Sequence, residues 1–196
     1  MQILLASHNA HKVQEVGAIL AGSPFDLVGM DAFPEVPEAP EDGDTFEVNA
    51  LAKARFVFAR TGIPTVADDS GLEVETLGLA PGVHSKRFTP QATHAANNRH
   101  LLHRLDGVTD RRARFRCVIA LVTGGGEALA EGRCEGTIAH GLRGSGGFGY
   151  DPLFLPDELP GRTLAEVGMD DKNRISHRGR AFRQLPGLVE RLLVAR

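Results

Sequence analysis

Nine residues near the C-terminus, Lys172-Asn173-Arg174-Ile175-Ser176-His177-Arg178-Gly179-Arg180, carry four cations and an imidazole in a chain whose formal net charge is −3. Arg presents a planar fork to phosphate oxygens, Lys a compact charge, and His can donate to an oxyanion or stack on a base. Such a set suits a ligand with several negative charges. The plainer explanation, a solvated basic helix face, covers the segment only if it is taken alone.

Three further stretches bear on the choice. Asp68-Asp69-Ser70-Gly71 follows the apolar run Ile63 to Ala67, which reads as a buried strand ending at the acidic pair. Ligands of open α/β sheets collect at the carboxyl ends of strands. Adjacent carboxylates repel unless a cation or proton intervenes, and Mg2+ takes oxygen ligands of this kind. Alternation along a strand lets the two Asp face different ways, so one can serve chemistry while the other anchors the loop. An Asx turn closing the strand would use the same residues.

Ser7-His8-Asn9-Ala10-His11-Lys12 lies between a strand, Gln2 to Ala6, and a helix with apolar Val13, Val16, Ile19 and Leu20. That order offers backbone N–H groups and a helix start to an anion, although the glycines of a Walker loop are missing. Taken alone, the stretch is better explained by an ordinary helix cap at Ser7 or Asn9. Gly144-Ser145-Gly146-Gly147-Phe148-Gly149-Tyr150-Asp151 joins close backbone approach to a stacking ring and a carboxylate acceptor, which fits a heterocycle better than a bare hairpin tip. Lys53 falls on the side of the apolar stripe of its helix, where it can snorkel or reach an acid or phosphate. Glu35, Glu38 and Glu41 lie in a Pro-rich loop as candidate metal ligands or solvated acids.

The elements that must position these groups follow from periodicity. A short strand is expected at Asp26 to Val28 and a loop from Asp31 to Asp44. Asp44-Thr45-Phe46-Glu47 has capping-box form and opens a helix on Phe46, Ala50, Ala54 and Val57 that ends near Gly62. Leu72 to Val74 can extend the strand, and Pro81-Gly82 turns the chain. Ala92 to Leu105 is helical in pattern, and Ala113 to Thr123 and Glu127 to Thr137 form two strands joined through Gly124-Gly125-Gly126. Thr163-Leu164-Ala165-Glu166 starts a short helix, and Ser176 caps the first of the C-terminal helical segments. The mixture of βα units and a long hairpin implies an α/β fold on a mixed sheet.

Bulk properties narrow the class. With 196 residues, 42% hydrophobic and 24% charged, the chain is expected to form one soluble domain over residues 1–196. Its net acidity argues against a general nucleic-acid or membrane-surface binder. No apolar run approaches a membrane span and no basic leader precedes Ile3-Leu4-Leu5, so a cytoplasmic setting is expected. Cys117 and Cys134 lack metal-type spacing and suit a reducing compartment.

In order and spacing, Ser7 to Lys12, Thr45-Phe46-Glu47-Val48-Asn49-Ala50 with Lys53, Ala67 to Leu72, Gly147 to Pro152 and Ser176 to Gly179 resemble the inosine triphosphate pyrophosphatase family. The resemblance runs from Ile3 to about Phe182. It implies an elongated mixed sheet with flanking helices, two lobes and a cleft between them, usually as a homodimer. It implies Mg2+-dependent hydrolysis of ITP, dITP and XTP to monophosphate and pyrophosphate. Carried over by motif, Ser7, His8, Asn9, Ala10, His11 and Lys12 would hold the triphosphate. Asp69 would be general base and metal ligand, with Asp68 and Lys53 beside it. Ser70 would touch substrate, and Phe148, Gly149, Tyr150 and Asp151 would form the base pocket. Lys172, His177 and Arg178 would complete the site. Glu41 is favoured as the acidic metal partner, with Glu38 and Glu35 as alternatives. The family commonly has Gly at the position of His8, which predicts modest strain there if that backbone angle is positive. A pyrophosphatase for modified pyrimidine triphosphates and a non-catalytic purine-nucleotide sensor are the competing functions.

Overall fold

The computed structural model describes residues 1–194. Six strands, β1 (Gln2–Leu5), β2 (Asp26–Gly29), β3 (Thr65–Val74), β4 (Arg112–Thr123), β5 (Gly126–Ile138) and β6 (Phe154–Pro156), form one sheet in the order β2-β1-β3-β4-β5-β6. β1 pairs in parallel with β2 and β3, whereas β5 and β6 are antiparallel, so the sheet is mixed as expected. Six helices flank it: α1 (Ala10–Ile19), α2 (Phe46–Thr61), α3 (His94–Arg104), α4 (Met169–Ile175), α5 (His177–Phe182) and α6 (Leu185–Val194).

Two compact units share the strands. The first comprises Met1–Asp69, Cys117–Gly132 and the chain from Arg178 onward; the second comprises Ser70–Arg116 and Arg133–His177. The first unit has its own core, built on Ile3, Leu5, Val16, Val66, Ile119, Phe182 and Leu185. A separate core, on Leu72, Leu101, Phe115, Ile138, Phe154 and Ile175, serves the second. β4 shows why the division falls where it does. From Arg112 to Arg116 its residues alternate between buried and more exposed, whereas Cys117 to Val122 are buried without interruption. Alternation marks a strand covered on one face, and an unbroken apolar run marks one covered on both.

Local sequence accounts for the elements that carry the polar groups. Asn9 caps α1, its Oδ1 accepting from the backbone N–H groups of His11 and Lys12. Thr45 caps α2 by accepting from Val48 N. The cap is therefore Thr45, and Glu47 stands one place too early to close a capping box. The buried stripe of α2 is Phe46, Asn49, Ala50, Lys53, Ala54 and Val57, and the helix stops at Gly62 with φ 68°.

Two expectations need correction, and one strand comes without one. β3 does not end at Asp68; it runs through Asp68-Asp69-Ser70-Gly71 to Val74. The strand that ends is its neighbour: β1 stops at Leu5, opposite Val66, and just beyond it Ala6 N donates to Val66 O. The acidic pair therefore lies just past the carboxyl end of β1 rather than of its own strand. Ser176 does not stand ahead of the first C-terminal helix: α4 precedes it, its N–H bonds to Lys172 O at the end of that helix, and it lies in extended conformation directly before α5. β6, not anticipated, rests on Gly136, where an added Cβ would collide with the Leu155 carbonyl. No helix among the described residues is long and apolar enough to cross a membrane.

Candidate active site

In the first unit the polar residues of four elements meet. Lys12, on the first turn of α1, places its Nζ 2.8 Å from Asp68 Oδ2. Arg178, at the start of α5, lies 3.7 Å from the same oxygen and 2.5 Å from Glu15 Oε2 on α1. Arg178 is only 2% exposed, so its charge serves this buried cluster. Lys53 donates to the Asp68 carbonyl at 2.8 Å and forms an ion pair with Glu41. Asn49 donates to Asp69 Oδ2 at 2.9 Å, while its own Oδ1 accepts from Gly43 N at 2.8 Å. One amide side chain thus ties the acid loop, α2 and the second Asp together.

Alternation along β3 gives the neighbouring carboxylates opposite environments. Burial pushes the Asp68 carboxyl upward, but Lys12, Arg178 and Lys53 outweigh it and hold it well below the ordinary range. Asp69 goes the other way. Burial raises its carboxyl above the ordinary value against the Asn49 hydrogen bond and the charges of Lys53 and Lys12, and nearby Glu41 raises it further. The same acids keep Lys53 charged: burial lowers its affinity for the proton, and Asp68 and Glu41 more than restore it.

A divalent cation fits this donor set. Among the described residues no three His, Cys, Asp or Glu side chains form a ready-made metal cluster. Mg2+ seldom asks for one, since it is commonly bound by one or two carboxylates together with substrate phosphates and water. Asp69 and Glu41 are close enough for each charge to disfavour the other, and a cation between them would relieve that cost. Glu35 and Glu38, the other two candidate ligands from the loop, are exposed.

The start of α1 looks as the sequence led one to expect. Ser7 Oγ accepts from Asn9 N at 3.3 Å, and Ser7, His8, Asn9, Ala10 and His11 are at least partly exposed. Among the described residues, only Leu79 and Ala92 combine a side chain with positive φ. His8 therefore sits in its turn without the strain that a left-handed backbone would impose.

The second unit holds the aromatic set. Lys172 Nζ lies 2.7 Å from Asp151 Oδ2 and 5.0 Å from the centroid of the Phe148 ring. The same Asp151 oxygen accepts from Phe148 N at 2.8 Å. Gly147 makes this possible: its φ is 65°, and a Cβ there would strike the Asp151 carboxylate. Tyr150 is buried and donates to Ser85 O at 2.9 Å, so it supports the loop from beneath. His177 stacks on Phe115 with ring centroids 4.7 Å apart and an interplanar angle of 12°. Ser70, half-buried, lies on β3.

The structure thus gathers Lys12, Glu41, Lys53, Asp68, Asp69 and Arg178 in one unit, and Phe148, Gly149, Tyr150, Asp151, Lys172 and His177 in the other. Sequence reasoning assigned no role to Asn49 or Glu15. Asn49 was detectable as a polar residue three places from Phe46 on an apolar stripe. Glu15 was not, because its partner Arg178 lies 163 residues away.

Comparison with known proteins follows the same lines. The sequence matches the Ham1 family over residues 3–187. A protein of Porphyromonas gingivalis named dITP/XTP pyrophosphatase is 50% identical over 188 residues, covering 94% of this chain and 95% of its own. Another so named, from Syntrophobacter fumaroxidans, is 47% identical over 193 residues, 97% of this chain and 83% of its own. Among solved structures, a HAM1 protein from Coxiella burnetii superposes with TM-score 0.86 at 40% identity, covering 97% of this chain and 99% of that one. A nucleoside-triphosphatase / dITP/XTP pyrophosphatase from Mycobacterium abscessus gives TM-score 0.75 at 44% identity, covering 94% and 97%. Family match, identity and coverage agree: this chain belongs to the Ham1 family.

Proposed function

We propose that this protein hydrolyses non-standard purine nucleoside triphosphates, ITP, dITP and XTP, to the nucleoside monophosphate and pyrophosphate, as a single catalytic domain. The relatives' activity supports the reaction class, and one observation carries it to named residues. Two adjacent carboxylates meet different partners: Asp68 has Lys12 at 2.8 Å and Arg178 at 3.7 Å, whereas Asp69 accepts from the Asn49 amide at 2.9 Å, so cations hold the first acid down and burial raises the second. Such separation divides a charged structural acid from a proton acceptor.

In this reading Asp69 accepts the proton of a water that attacks the α-phosphorus, and pyrophosphate leaves. Asn49 fixes the orientation of its carboxylate. Lys12 and Lys53 set positive charge against the triphosphate, and Asp68, clamped by Lys12 and Arg178, holds those cations in place between turnovers. Mg2+, held by Asp69 and Glu41, would supply charge neutralisation on the phosphates and an acidified water. Phe148 offers a stacking face and Lys172, paired with Asp151, a donor for a C6 carbonyl, which hypoxanthine and xanthine have and adenine lacks. Ser70 and His177 are assigned to substrate contact by motif. A homodimer in the cytoplasm is part of the same proposal.

A panel of ITP, dITP, XTP, GTP, ATP and modified pyrimidine triphosphates, run with Mg2+ and with product identification, tests it. Preference for ITP and XTP with pyrophosphate as co-product is expected. Release of inorganic phosphate, preference for pyrimidines, or binding without turnover would each defeat the reading.

A further inference from the structure

Neighbouring asparagines on α3 are used unequally. Asn97 is fully engaged: its Oδ1 accepts from Thr89 N at 3.0 Å and Thr89 Oγ1 at 2.8 Å. Its Nδ2 donates to Ser85 O at 3.3 Å and Lys86 O at 3.0 Å. That is ordinary structural work for an amide, with every lone pair and proton in use. Asn98 differs. It is 5% exposed, it donates from Nδ2 to Gly149 O at 3.0 Å, and its buried Oδ1 has no hydrogen-bond partner. Turning the amide over would set two carbonyl oxygens against each other, so the Gly149 contact fixes the orientation and leaves the oxygen stranded.

A buried acceptor without a donor lowers stability, and an apolar residue of similar size would avoid that cost. Stability therefore does not explain Asn98, and its one strong contact must. Gly149 has φ 63° and is gripped from both sides of its residue. Its N–H points to His94 Nδ1 at 3.4 Å, one helical turn before Asn98, while its carbonyl meets Asn98. The His94 ring also lies 6.2 Å from the Phe148 ring. Beneath, Ser85 O accepts from both Asn97 and Tyr150, so α3 and the Phe148–Asp151 turn share an anchor.

We propose that Asn98 is a positioning residue for base selection, holding the Gly149 peptide and through it the Phe148 ring and the Asp151 carboxylate. This rests on the pyrophosphatase reading only for what the turn selects; the holding itself belongs to the free protein. The predicted signature is a side chain that costs stability and confers discrimination.

Asn98→Leu and Asn98→Asp test it, the second keeping the size while removing the Nδ2 donor. Three quantities are measured on the whole protein: Tm, amide exchange of residues 147–151 without nucleotide, and the ratio of kcat/KM for ITP over ATP. Expected for Asn98→Leu are an unchanged or higher Tm, faster exchange confined to residues 147–151, and a ratio lowered about tenfold. Asn98→Asp should show the same local exchange. Unaltered exchange at those residues in either variant would overturn the proposal, as would, in Asn98→Leu, a fall in Tm with exchange rising throughout the molecule. A wild-type protein lacking ITP preference would remove the function reading, yet the exchange arm would still decide the holding role. Wild-type preference kept intact in Asn98→Leu would sink this inference alone.

Discussion

Lys12 Nζ and Asp68 Oδ2 lie 2.8 Å apart, on the carboxylate next to the proposed base. A cation expected to meet phosphate is thus already engaged. In the proposed reading, triphosphate would draw Lys12 partly away from Asp68, leaving Arg178 and Lys53 to compensate the acid. Asp68 is a counter-charge that keeps these buried cations stable.

Replacing Asp68→Asn should therefore damage the fold more than the chemistry. It leaves Arg178 and Lys12 facing a neutral amide, and removing one partner of a buried ion pair costs about 3–5 kcal/mol. The pH dependence has a definite sign. The folded carboxyl sits below its ordinary value, so its stabilisation is complete above the unfolded Asp value of about 4 and fades as pH falls through the lower folded value. Urea unfolding of both proteins should show a large gap near pH 7 that narrows toward pH 2. A gap independent of pH would contradict the assignment.

Asp69→Asn should give the opposite balance. Burial already opposes charge on Asp69, so neutralising it removes a desolvation cost, and the Asn49 contact can be kept by the new amide oxygen. Turnover should fall by about 10²–10⁴-fold, the range for loss of a general base, with thermal stability held. Stopped assays of pyrophosphate release beside a melting curve separate the two effects; near-normal turnover would remove Asp69 from the role.

Glu41→Gln tests the metal assignment. Chelation should abolish turnover in the wild type. In the variant, the Mg2+ concentration for half-maximal rate should rise about tenfold, as metal sites lose 10–100-fold when a supporting group is removed. Because Glu41 also pairs with Lys53, melting curves without metal report how much of the change is structural. The matching variants of exposed Glu35 and Glu38 should leave the Mg2+ requirement unmoved.

Legibility in the sequence tracked how local each signal was. β1, α1 and α2 were readable because their apolar spacing and caps lie within a few residues, and Thr45 needed only a shift of one position. β3 was misjudged because Asp68-Asp69-Ser70-Gly71 has turn composition. Its extended form depends on Lys12, Arg178 and Asn49, all remote in sequence, which make two buried Asp tolerable. α4 was missed for a related reason. Met169 to Ile175 is mostly polar, and what it buries includes Lys172, whose burial depends on Asp151. The motif residues themselves were recognisable; which cation served which carboxylate was not, because pairing is a property of the fold.

Lys172 and Asp151 provide the final test. Both are nearly fully buried, 2.7 Å apart, and the shared Asp151 oxygen also holds Phe148 N. Asp151→Asn keeps an acceptor for Phe148 N but removes the counter-charge, so Lys172 becomes costly to bury and should swing from the Phe148 ring. Lys172→Met keeps apolar bulk and removes the donor, while Phe148 N can still donate to Asp151. If the lysine recognises a C6 carbonyl, Lys172→Met should lower kcat/KM for ITP by about 10–100-fold and hardly alter it for ATP, which offers no such acceptor. Asp151→Asn should weaken all substrates together, since it disturbs the turn as well as the donor. Equal losses on ITP and ATP in Lys172→Met would mean that Lys172 acts on the phosphates or on the fold, not on the base.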